Sequence, residues 1–166
     1  MKIPLRKPPA SARNVIIEGG RHVGVVVQSV NVGLQAAFEK DEPPVPSIGV
    51  AIEFIEGVIA RSIRISQHPS SLFFALQQAC GLGDADELDL GDFLGKAVAC
   101  EIENRGIWPT IRAFGPVETF DIVPTVSSPL MQFDVEALER GEGRDEFLKL
   151  HPDIRRAISQ RVRLRP

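Results

Sequence analysis

The feature that most limits what this chain can fold into is a pair of alternating runs on either side of a short turn. Ile48, Val50, Ile52 and Phe54 alternate with Gly49, Ala51 and Glu53, and after Glu56-Gly57 the pattern resumes with Ile59, Ile63 and Ile65 opposite Ala60, Ser62, Arg64 and Ser66. A period of two sends successive side chains to opposite faces, so each run reads as a half-buried strand and the pair as a hairpin. Arg61 interrupts the apolar parity of the second run.

The same period marks three more strands. Over 22–32, Val23, Val25 and Val27 lie opposite His22, Gly24 and Gln28; over 96–104, Val98, Cys100 and Ile102 lie opposite Ala99, Glu101 and Glu103. Arg105-Gly106 then supplies turn residues before a fifth run over 107–115. The stretch 33–46, with Glu39 to Glu42 followed by Pro43, Pro44 and Pro46, cannot continue a ladder and is expected to be a long exposed loop. Ser70 and Ser71 after Pro69 are N-cap residues, Leu72, Phe73, Leu76 and Ala79 recur at helical spacing, and Gly81 is a stop, which predicts a helix of about three turns. An acidic connector over 84–92 leads to the fourth strand.

Three strands, one helix and two strands is the order of a five-stranded OB-fold, a mainly β Greek-key barrel whose helix plugs one end between strands 3 and 4. The expected organisation is a flexible basic arm over 1–13, with Pro4, Pro8 and Pro9, the barrel over 14–117, and an extended C-terminal segment over 118–166. In that segment an acidic linker carries Phe133 and Leu138 as anchors. A short amphipathic helix follows from 152 to about 163, with Ile154, Ala157, Ile158 and Val162 on one side and Arg155, Arg156, Arg161, Arg163 and Arg165 making the terminus basic.

With 43% hydrophobic residues over 166 positions the chain can bury a core, but its net charge of -3 rules out coating nucleic acid by bulk charge. Any such binding needs a local patch. Cys80 and Cys100 form no metal-ligand or disulfide framework and suit a reducing cytoplasm, and no run of roughly 18 apolar residues calls for a membrane. His22, His68 and His151 lie far apart, and the Ser66 and His68 pair lacks the setting of a nucleophile and base. Asp84, Asp86, Glu87 and Asp89 do not fit a calcium loop, and no glycine run carries a phosphate-loop lysine. The expectation is a non-enzymatic protein that needs no metal or cofactor.

The binding candidates cluster on the predicted barrel. On strand 5, Trp108, Thr110, Arg112 and Phe114 share one face and Ile107, Ile111 and Ala113 the other, giving two aromatic rings and a cation where bases can stack. The alternative is that Phe120 or Phe133 of the C-terminal segment packs over that face. Arg61 and Arg64 on strand 3, Lys96 on strand 4, Arg105 in the last turn, and Gln35 and Phe38 in the loop after strand 1 complete the set, because OB-folds bind through strands 2 and 3 and two flanking loops.

Several segments in order resemble a family of bacteriophage OB-fold proteins that bind single-stranded DNA in replication and recombination. They are Val32-Gly33-Leu34-Gln35, Ile63 to His68 followed by the Leu72 helix, Leu94-Gly95-Lys96, the strand from Ile107 to Ile111, Phe133-Asp134-Val135-Glu136, and the closing stretch from Leu148 to Ile158. The chain departs from the family in having no tyrosine and an arginine-rich instead of an acidic end. The resemblance implies single-stranded DNA as ligand, phage or host replication and recombination proteins as partners, assembly into a homo-oligomer, and the cytoplasm of a bacterial host cell as location. The competing expectation is an OB-fold protein-interaction module that holds no nucleic acid, its aromatic face closed by its own tail. Exposure of Trp108 and Phe114 discriminates between the two.

Overall fold

A computed structural model describes residues 15–83 and 85–163; the predicted basic arm and Arg165 fall outside them. Six strands are present: β1 (Gly20–Gln35), β2 (Val45–Phe54), β3 (Gly57–Arg64), β4 (Ala97–Arg105), β5 (Trp108–Gly115) and β6 (Met131–Asp134). The helices are α1 (Leu72–Ala79), α2 (Glu136–Glu139), α3 (Arg144–Leu148) and α4 (Pro152–Ser159), with a 3-10 turn at Leu90–Phe93. The protein is therefore mainly β. The strands run in the order β3-β2-β1-β4-β5, all antiparallel, and β6 adds to β1 in parallel.

β1 holds the sheet together because it serves three partners. Its first half pairs with β4, its whole length from Val25 pairs with β2, and Gln28 to Asn31 pair with β6. Two irregularities, between Val26 and Gln28 and between Asn31 and Gly33, bend it and change which face each residue serves. Val26 thus enters an interior core, whereas Val27, Val30 and Val32 enter a second core. This corrects the single alternation expected over 22–32, and the extension of β1 to Gln35 and of β2 back to Val45 shortens the predicted 33–46 loop to 36–44.

The interior core contains Ile48, Val50, Ile52 and Phe54 of β2, Ile59 and Ile63 of β3, Val98, Cys100 and Ile102 of β4, and Ile111 and Phe114 of β5. Helix α1 closes it with Phe73 and Leu76, and Phe73 meets Phe93 edge-on at 5.9 Å. The Ser71 hydroxyl accepts a hydrogen bond from the Phe74 N–H, so the predicted cap is in place, but α1 has 8 residues, about two turns rather than three.

The other face of β2 is covered too. Residues 116–130 cross without regular structure, tied down by a two-bond pair between Arg21 and Asp121 at 2.6 Å and by Glu53. Glu53 is 6% exposed and accepts four hydrogen bonds from Ser127 and Ser128, between 2.6 and 3.1 Å. β6 then delivers Phe133, and α4 delivers Ile154, Ala157 and Ile158, onto Val27, Val32 and Ala51. β6, α2 and α3 were not expected from the sequence, and α4 ends at Ser159 rather than near 163. Among the described residues no helix is long and apolar enough to cross a membrane.

Candidate binding cleft

The path of strands stops at β3 on one side and β5 on the other. These two edges approach without a ladder between them, and Arg61 spans the gap. It occupies the inward parity of β3 between Ile59 and Ile63, and its guanidinium donates to the Ile111 carbonyl of β5. Its Nε is buried without a hydrogen-bond partner. Burial first, and then the neighbouring charge of Arg105, hold its pKa below the ordinary arginine value. Among the described residues no carboxylate lies within ion-pair distance of Arg61.

Along this gap runs a cleft of about 490 Å³. Val58 to Ser62 of β3 form one side, Trp108 to Thr110 of β5 with Arg105 form another, and His151, Asp153 and Arg156 of the α4 region border it. Phe38 from the 36–44 loop and Val15 also contribute. Three arginines therefore face one aspartate, and Asp153 is itself held 3.9 Å from Arg156 and 3.9 Å from His151. Burial keeps the His151 imidazole below its ordinary pKa, with the Asp153 charge opposing. Its Nδ1 accepts from the Asp153 N–H, which fixes the neutral ring's proton on Nε2.

Trp108 is 45% exposed and lines the cleft. Phe114 is not beside it, which corrects the shared face expected for strand 5. Ala113 pairs with Glu101 and Ile111 with Ile102, leaving Arg112 as an extra, bulged residue that reverses the parity of everything after it. Phe114 consequently points into the interior core, 9% exposed, with Ile111.

The structure brings Arg61, Arg105, Trp108 and Phe38 of the expected set to the cleft and places the others elsewhere. Arg64 stacks its guanidinium 4.3 Å from the Phe38 ring centroid, just beyond the cleft. Gln35 is engaged structurally, its amide donating to the Val32 and Ala157 carbonyls. Arg112 is on the outer surface, 3.9 Å from Glu103, and Lys96 is exposed in the turn before β4. The sequence reading missed His151, Asp153 and Arg156. The apolar stripe of α4 shows that Arg156 faces away from the core, but no local pattern shows that β3 and β5 lie beside it.

The alternative in which Phe120 or Phe133 covers Trp108 is also placed. Phe120 is 78% exposed under the Arg21 guanidinium, and Phe133 packs in the outer core against Phe147. No protein-family model matches the chain, and no curated protein matches it. Among the described residues no group of three or more His, Cys, Asp or Glu side chains is placed to hold a metal ion.

Proposed function

We propose that the chain is a non-enzymatic single-stranded DNA-binding protein of phage replication or recombination, working in the cytoplasm of a bacterial host and built on an OB-type barrel. The strand order β3-β2-β1-β4-β5, with β3 and β5 meeting at the Arg61 seam and α1 between β3 and β4, supports the barrel type. The observation that carries the function is the half-exposed Trp108 beside Arg61 and Arg105 in one cleft. A flat ring stacks a base whatever its identity, while guanidiniums neutralise the adjacent phosphates. Phe38 comes from the β1–β2 connection and Arg105 is the last residue of β4, next to the β4–β5 turn, so both lie at the two loops an OB-type site uses.

Trp108 is the only tryptophan, so its fluorescence reports the site directly. Titration with oligo-dT quenches it to saturation, the affinity falls as salt rises because counterions are released, and duplex DNA of equal length leaves it unchanged. Unchanged emission together with no mobility shift of the oligonucleotide at low salt overturns the proposal.

One observation favours the second reading, a protein-interaction module. The C-terminal layer covers the outer face of β1 and β2, and it leaves Phe120, Ile122 and Leu130 more than half exposed along its crossing segment. Loss of oligonucleotide binding with retained capture of a replication partner would select that reading.

A further inference from the structure

One side of the cleft is bordered by His151, Asp153 and Arg156 of the α4 region. Helix α4 lies there and is firmly seated: Ile154 and Ile158 are each 1% exposed, the Gln35 amide holds the Ala157 carbonyl at 2.9 Å, and the Gln28 side chain accepts from the His151 N–H at 2.8 Å. Past its end, the Val162 N–H donates to the Leu34 carbonyl of β1 at 2.7 Å. The outer face of β1 and β2 is therefore occupied by the protein's own core, and the residues of α4 that border the cleft sit on a seated helix.

The charge lining the cleft suits a single dianionic group. A phosphodiester carries one negative charge, whereas a phosphate monoester approaches two at neutral pH. Arg61, Arg105 and Arg156 converge on the cleft with Asp153 as the one opposing carboxylate, and Arg61 keeps a buried, unpartnered Nε. Guanidiniums bind dianionic phosphate through several charge-assisted hydrogen bonds at once.

We propose that the cleft takes a nucleotide bearing a phosphate monoester, as found at the phosphorylated end of a DNA strand, with the terminal base on Trp108, the phosphate on Arg61 and Arg105, and Arg156 supplying the extra positive charge. This rests on the single-stranded DNA reading above and narrows it from any stretch of strand to its end. Arg156 has a role here that its sequence neighbourhood did not assign.

The test is competition, read by Trp108 fluorescence, among four probes: an oligo-dT of about 16 nucleotides with hydroxyl ends, the same oligomer with a phosphate on either end, a circular single strand, and thymidine monophosphate. A terminal phosphate tightens binding by about tenfold or more over hydroxyl ends, and the circle binds no better than the hydroxyl oligomer. Arg156→Gln, at an exposed position of α4, reduces the preference to about twofold because it weakens the phosphorylated oligomer more than the hydroxyl one. Equal affinity for circle, hydroxyl and phosphate forms overturns the end assignment while leaving single-stranded DNA binding intact. An Arg156→Gln effect of the same size on every oligomer overturns the role of that residue. Thymidine monophosphate binding as tightly as the phosphorylated oligomer assigns the cleft to free nucleotides instead, and no response to any oligomer removes the underlying reading.

Discussion

The β2–β3 and β4–β5 hairpins start from the same kind of sequence and end differently. Each turns on two residues, Ile55 and Glu56 in one and Gly106 and Ile107 in the other, and each shows apolar side chains at every second position. In β2–β3 the register runs unbroken from Phe54 opposite Gly57 to Ser47 opposite Arg64, so the inward parity written in the sequence is the one that is buried. In β4–β5 a single bulged residue, Arg112, splits β5 into two halves of opposite parity. The difference teaches that alternation specifies a face only while pairing is uninterrupted, since a slip of one residue moves every later side chain to the other side. It also separates Trp108, before the bulge and open, from Phe114, after it and buried.

The largest effect sharpens that separation. Phe114→Ala removes an aromatic side chain from the interior core and is expected to cost about 3–5 kcal/mol, whereas Trp108→Ala costs under about 1 kcal/mol. Urea unfolding of the two variants measures this directly. Equal losses would mean that β5 is regular and that both rings share a face.

The next effect concerns the other side of β2, where alternation predicts solvent and the structure places a buried clamp. Glu53→Gln leaves the Ser127 and Ser128 donors facing a neutral amide, with an expected cost of about 1–3 kcal/mol. Burial pushes the Glu53 pKa up, but those four hydrogen bonds outweigh it and the carboxyl titrates below its ordinary value. A lowered folded-state pKa stabilises the protein above the ordinary carboxylate pKa, and that contribution is lost as pH falls through the lowered one. Stability of the native chain therefore drops below about pH 4, and the Glu53→Gln variant shows a shallower drop in acid denaturation.

What was legible follows from which forces act locally. The strands β1 to β5, α1 with its Ser71 cap and the apolar stripe of α4 were legible because alternation, helical spacing and capping are written in neighbouring residues. β6 was not: Met131 to Asp134 has four residues, too few to show a period, and it becomes a strand only because β1 offers an edge. The second core was equally hidden, since Ala51 and Gly49 read as an exposed face until α4 is laid against them. For the cleft, Arg61 stood out as a charge at an apolar parity, and Trp108, Arg105 and Phe38, expected on strand 5, in the last turn and in the loop after strand 1, line the same cleft. Arg156 arrives there only through the return of the C-terminal segment, which no spacing within that segment reveals.

A smaller effect on stability and a larger one on binding are expected at the seam between the two hairpins. Arg61→Met keeps the stem that lies along the barrel and removes a buried cation without a carboxylate partner, so its stability should stay within about 1 kcal/mol of the parent. Its affinity for oligo-dT should fall about tenfold and its salt dependence become weaker, because one phosphate contact is gone. A variant that binds like the parent would make Arg61 a strut between β3 and β5 and nothing more.

The smallest effect belongs to the residue that causes the whole difference. Arg112 makes the bulge through its backbone, while its side chain is 74% exposed and 3.9 Å from Glu103, whose side chain is 45% exposed. Exposed pairs of this kind contribute little, so Arg112→Ala should change stability by under about 0.5 kcal/mol and oligonucleotide affinity by less than about twofold. A regular strand with Arg112 between Trp108 and Phe114 on a DNA-facing surface would instead lose a phosphate contact and much of its affinity. Fluorescence titration of Arg112→Ala therefore asks, at a position where removal of the side chain leaves the fold alone, whether the cation that matters lies between the aromatic residues in sequence or across the seam in space.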